Sequence, residues 1–234
     1  MISTNGWRKY CIWEHSTTVK ELYSMRCSRQ VQEMTCASQA ADLLAPLVEA
    51  GDQLLDAGCG SGYFYHSLAT RKLPVGYWGI DAAESLIKIG QSILPKYGLP
   101  AQHLVHGRVE DLDAEVDHIL CMNVLSNIDN YPRPLERLLH SARKSLILRE
   151  SVSTEQSFQY VADKYLDPDV NLKVHVNTYK ESEFIKFIQS YGFEVESFID
   201  LRTNGNPEYI IDYPHHWKFF RATKIKENKT TKNL

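Results

Sequence analysis

The chain has 234 residues, 43% of them apolar, and a formal net charge of −3 at pH 7. Length and apolar share suit one globular domain of about 150–200 residues with additions. The weak acidic balance excludes a global positive field that would gather nucleic acid or an anionic membrane, and leaves a small molecule as the expected partner.

The N-terminus, MISTNGWRKYCIWEH, is polar and aromatic where a signal peptide needs a continuous apolar run, and no 18-residue apolar span occurs. Cys11, Cys27, Cys36, Cys59 and Cys121 are odd in number and form no CxxC pair, which suits reduced thiols, no zinc site and a cytoplasmic location. Residues 17–50 carry apolar side chains at helical spacing, with Pro46 expected to kink the second helix and Gly51 to end it. From there the pattern alternates. QLLDA, VGYWGID, AQHLVHG, DHILCMNVL and KSLILRE read as short apolar strands, separated by the helical runs YFYHSLATRK, AAESLIKIGQSIL and PRPLERLLHSAR. Such alternation predicts parallel βαβ units in a doubly wound α/β sheet.

After Glu150 the rhythm breaks for nearly thirty residues, before a helix near Tyr179–Tyr191 and two further strands, FEVESFIDL and HHWKFFRA, joined through TNGNP. The expected organisation is an N-terminal helical lid over 1–50, a core over 51–223 with a covering insertion at 151–178, and a disordered lysine-rich tail over 224–234. Trp7, Tyr10, Trp13, Tyr160 and Tyr165 fall in the covering segments, which suits a partly apolar or sugar-like ligand.

The stretch LLDAGCGSGYF, from Leu54 to Phe64, ends the first strand in a glycine-rich turn that opens a helix. Glycine lets the backbone approach a ligand, and the helix start offers free N–H groups. A dinucleotide fingerprint would place glycine where Tyr63 stands, and Asp56 would repel a diphosphate while suiting a ligand with ammonium and sulfonium groups. With Asp56, Gly58, Gly60 and Gly62 the stretch resembles the first motif of the class I S-adenosylmethionine (SAM) dependent methyltransferases. The resemblance implies a mostly parallel seven-stranded, Rossmann-like sheet and a SAM cradle that includes Ala57. It continues with GID, where Asp81 beside Ala82 takes the ribose hydroxyls, and HGRVEDL, where Val109 packs the adenine and Glu110 lies near its amine. CMNVLSNID then carries Asn123 over as a contact to the methionine moiety. The family's proline-glycine turn before the fifth strand is missing from SARKSLIL.

Methyl transfer from a sulfonium is an in-line displacement that rests on positioning, and it needs a base where the acceptor is a hydroxyl or an ammonium. His175 is the favoured base, because the alternation of LKVHVN sets Lys173, His175 and Asn177 opposite Val174 and Val176. Asn127 and Asp129 follow the fourth strand near the methyl position, Glu150 closes the fifth, and His215 and His216 suit a structural role beside Trp217. Tyr23 and Arg26, three apart on a helix, are expected to close over the cofactor carboxylate.

The expectation is a SAM-dependent methyltransferase acting on a small molecule, at oxygen before nitrogen. A non-catalytic SAM-binding protein is the alternative. Nucleic-acid methylation ranks below both, since Asn123-Val124-Leu125-Ser126 lacks the Asn-Pro-Pro-aromatic run that holds a flipped base.

Overall fold

A computed structural model describes residues 11–225. In chain order it contains α1 (Thr17–Cys27), α2 (Thr35–Leu44), β1 (Gln53–Ala57), α3 (Tyr65–Arg71), β2 (Gly76–Asp81), α4 (Glu84–Ile93), β3 (Leu104–His106), β4 (Val116–Met122) and α5 (Pro132–Ser141). There follow β5 (Ala142–Ser153), β6 (Ser157–Ala162), β7 (Lys173–Lys180), α6 (Glu181–Gln189), β8 (Phe193–Ile199), β9 (Glu208–Ile210), β10 (Tyr213–His215) and β11 (Trp217–Lys224). The main sheet runs β3-β2-β1-β4-β5-β11-β8, with β11 antiparallel to both neighbours and the other pairs parallel. This is the doubly wound, mostly parallel seven-stranded sheet expected from the sequence.

Both faces of the sheet are covered, which is why its central strands β1, β4 and β5 are buried in continuous runs. On β5, Leu146 and Leu148 join Leu135 and Leu138 of α5 and Phe184 and Ile188 of α6. Ile147 points the other way, into a second core with Ala37 and Ala40 of α2, Leu68 of α3 and Ile87 of α4.

The helical stretch 17–50 is two helices, α1 ending at Cys27 shortly before Arg29, whose φ of 56° leaves helical space. Two local expectations are corrected. Pro46 lies beyond α2 rather than within it: the last helical bond is from Ala45 N–H to the Ala41 carbonyl, and a residue without an N–H cannot add the next. The insertion is not irregular. β6 and β7 form an antiparallel hairpin, and β7 pairs in parallel with β5 at Val152↔Tyr179, past the last residue that β5 pairs with β4. The missing proline-glycine turn has a simple counterpart, since Ala142 both caps α5 and opens β5. The small β9–β10 hairpin has no forerunner in the sequence reading. Among the described residues no helix is long and apolar enough to cross a membrane.

α4 is held against the glycine-rich turn by a contact that tolerates no side chain. A methyl group on Gly90 would lie 2.2 Å from the Ser61 carbonyl oxygen and 2.5 Å from Leu104 Cδ1. Gly90→Ala should therefore destabilise the fold by about 1–3 kcal/mol, the overpacking penalty, although alanine is the better helix former. Urea denaturation of the variant reads this directly; equal or greater stability would show that α4 stands off from the turn.

Candidate active site

The turn after β1 runs through three left-handed glycines, Gly58, Gly60 and Gly62, with φ of 83°, 59° and 75°. It is hemmed in on both sides: an added methyl would lie 2.1 Å from Val124 Cγ2 at Gly58 and 2.1 Å from Tyr23 Cε1 at Gly60. A side chain is thus excluded twice, by dihedral and by space. Asp81 ends β2 and ties the turn down, one carboxylate oxygen accepting the Gly60 N–H and the other the Ala83 N–H, both at 2.7 Å. Burial raises the Asp81 pKa, and these two N–H bonds pull it back. Ala82, half-buried, and Ala57, buried, flank the same cradle.

Asp56 sits beneath the turn, not in it. It is 4% exposed and accepts the Tyr77 hydroxyl at 2.7 Å. Burial pushes its carboxyl up to about 7. The sequence reading aimed this acid at the ligand's cationic groups; the structure commits it to a tyrosine. Val109 is buried in the turn after β3, and Glu110 pairs with Arg108 at 3.5 Å.

The loop after β4 is gripped by two consecutive residues of β5. Successive strand residues face opposite sides of a sheet, so Arg149 and Glu150 reach it from different cores. Arg149 is fully buried: it forks onto Asp200 at 2.9 and 3.0 Å, donates to the Asn123 side-chain oxygen, and lies 4.5 Å from the Trp217 ring centre. Asn123 takes a left-handed φ of 59°. Glu150 accepts the N–H groups of Val124, Leu125 and Ser126 and the Ser126 hydroxyl, all within 3.1 Å. Burial lifts Glu150 to about 7 against the pull of those donors. Asn127 closes the loop by donating to the Asn123 carbonyl at 2.7 Å. The sequence reading left Glu150 open and missed Arg149; two adjacent charges at the end of an otherwise apolar strand were the available signal.

The alternation expected of LKVHVN holds, with Val174 and Val176 buried in one small cluster with Ile12 and Ile211. His175 faces the other way, half-buried and stacked on Tyr160 at 4.4 Å. Further along the same face of β7, Asn177 donates to the Ile128 carbonyl at 2.7 Å and the Tyr179 hydroxyl to that of Leu125, so β7 lies against the β4 loop. Burial lowers the His175 pKa, opposed by nearby Asp129. The N-terminal segment joins this cover: Thr17 N–H donates to Asp167 at 2.7 Å, and Glu14 accepts the Ser85 N–H at the start of α4 at 2.9 Å.

Tyr23 meets Tyr63 edge-on at 5.6 Å, and the Arg26 guanidinium lies 4.9 and 5.1 Å from the two rings. Tyr23 thus abuts the cradle, whereas Arg26 lies on the tyrosine pair and borders a cavity on the flank of α3. Trp13 and Tyr165 are exposed at 37% and 54%, His215 stacks on Trp217 as expected, and Trp7 and Tyr10 lie outside the described residues.

Residues 55–147, which contain the cradle, match the family described as a methyltransferase domain. The chain is 36% identical over 83 residues to a ubiquinone biosynthesis O-methyltransferase of Chromobacterium violaceum, covering 34% of each protein. It is 26% identical over 149 residues to a demethylmenaquinone methyltransferase of Anoxybacillus flavithermus, covering 59% of this chain and 62% of that one. The matches therefore span less than two thirds of either relative's length. Among solved structures, the magnesium protoporphyrin IX methyltransferase of Synechocystis with bound SAM is similar at a TM-score of 0.57 and 19% identity, covering 95% of this chain and 92% of that one. A SAM-dependent methyltransferase of Clostridium acetobutylicum is similar at 0.61 and 12%, covering 89% and 98%. Residues 55–147 thus form a methyltransferase domain, and the chain shares the fold of solved SAM-dependent methyltransferases.

Proposed function

We propose that this chain transfers a methyl group from SAM to a small-molecule hydroxyl, in preference to an amine. The observation that carries the reading is the glycine turn held to Asp81 through the Gly60 N–H, inside the segment that matches a methyltransferase domain. The cradle fits the cofactor: the turn offers backbone at Gly58, Gly60 and Gly62, and each Asp81 oxygen keeps a lone pair beyond its backbone bond. When bound, SAM supplies a methyl group already activated on sulfur.

Gly58, Gly60 and Gly62 would bring the backbone against the methionine moiety, Asp81 would accept the ribose hydroxyls, and Val109 would pack the adenine with Glu110 at its edge. Asn123, fixed by Arg149, would present its amide nitrogen to the amino-acid end. Tyr23 would close the cradle over Gly60. His175, on the cover above the β4 loop, would take the acceptor's proton at one ring nitrogen as the methyl group arrives. One observation supports oxygen as the acceptor atom: a relative that matches the cradle segment is named an O-methyltransferase.

Calorimetry should show binding of S-adenosylhomocysteine and none of NAD. Asp81→Ala should weaken that binding by about 1.5–3 kcal/mol, the range for hydrogen bonds to a charged group. An unchanged dissociation constant in a folded variant moves the ribose elsewhere.

His175→Ala should lower kcat by about 10²–10⁴ on a phenol or enol found by screening, with S-adenosylhomocysteine affinity unchanged. The base works as the neutral imidazole, so wild-type kcat should fall as pH drops through a value below the ordinary 6.5, the direction burial sets. The variant should lack that acid limb. Full activity in the variant would leave positioning as the whole of the catalysis.

A further inference from the structure

We propose a second ligand site, for a small organic carboxylate, in the cavity between the α1–α2 connector and α3. The cavity is about 210 Å³ in volume and is lined by Arg26, Arg29, Met34, Tyr63 and His66 among others. None of Gly58, Gly60, Asp81 or Asn123 lines it, so it stands beside the cofactor cradle on the far side of the Tyr23–Tyr63 pair.

The hydrogen bonds define its charge. The Cys27 carbonyl can only accept, so the His66 Nε2 at 2.8 Å carries a proton and donates. The Arg29 Nε–H donates to His66 Nδ1 at 3.0 Å, so that nitrogen is bare and the imidazole is neutral. Burial, which lowers the His66 pKa, acts in the same direction. The Arg29 contact engages the Nε edge, and its guanidinium lies 5.1 Å from the Tyr97 ring centre. Arg26 lies over Tyr23 and Tyr63 and hydrogen-bonds the Tyr23 side chain. Neither guanidinium has a carboxylate within ion-pair distance among the described residues.

The one acid on the wall, Glu33, is already paired with Arg71 at 2.7 Å. The cavity wall therefore carries two guanidiniums with no carboxylate partner among the described residues, and no unpaired acid. Two guanidiniums that line one concavity suit a planar oxyanion. The wall also carries Val31, Met34, Ala37 and the Tyr63 ring beside polar Gln32, Ser67 and Thr70, and this apolar portion favours an anion with a compact hydrocarbon body over a bare inorganic ion. Tyr63 follows the glycine turn directly and Tyr23 caps it, so a ligand seated here braces the lid without entering the methyl-transfer site.

Calorimetric titration of the full chain at low ionic strength tests this, with sodium benzoate as probe and inorganic phosphate in a separate arm. Benzoate should saturate at one per chain, and should do so equally in the presence of saturating S-adenosylhomocysteine. Arg29→Gln, and independently Thr70→Glu at the exposed rim of the cavity, should each weaken benzoate about tenfold or more while melting temperature and S-adenosylhomocysteine affinity stay unchanged. Absence of saturation, unchanged affinity in both variants, or binding of phosphate with benzoate silent overturns the proposal. Displacement of benzoate by S-adenosylhomocysteine also overturns it, because the anion then sits in the glycine cradle.

Discussion

Two ionisable side chains without access to water, Arg149 and Glu150, set the geometry on which the site depends. Isolated charges in such places cost several kcal/mol each, so they persist where partners surround them. Asp200 and Asn123 complete the hydrogen bonding of Arg149, and three backbone N–H groups with one hydroxyl complete that of Glu150. Because each charge is neutral in effect only when the loop 123–126 is in place, loop and charges are mutually required. Val124 on that loop in turn crowds Gly58, so the constraint passes from β5 through β4 to the glycine turn.

The cover over this floor is assembled from distant pieces. Ile12 comes from the N-terminal segment, Val174 and Val176 from the insertion hairpin, and Ile211 from the β9–β10 hairpin, and the four bury one another. No piece has enough apolar surface to be stable alone. Their shared cluster is small beside the two main cores, and regions with few buried contacts open at low free energy. A cover of this kind suits a site that must admit one ligand and release another.

The core was legible from the sequence because its signals are local. A short apolar strand, a glycine turn and a helix start each lie within about ten residues, and the acid of GID sits where the strand ends. What the sequence hid is long-range. Asp200 lies 51 residues from Arg149, so no window on either residue shows the fork. β6 reads SFQYVA with mostly exposed side chains, and it becomes a strand through the edge offered by β7. The expected kink at Pro46 failed for a local reason, the proline falling one residue past the final helical bond. Asp56 drew attention by its place in the motif, but whether it faces a ligand or Tyr77 depends on the neighbouring strand.

The thiols around the turn give it a chemical property of its own. Cys59 stands between Gly58 and Gly60, buried, with its pKa far above the ordinary value through desolvation. Cys27 donates toward Ser61 in the same turn and is pushed up to about 11, again by burial. Thiolate is the reactive form, so in the closed molecule both sulfurs are shielded from alkylating agents and peroxide. Modification has to wait for the turn to open, and the rate at which iodoacetamide consumes these two sulfurs in the native protein is then a clock for the breathing of the cradle itself.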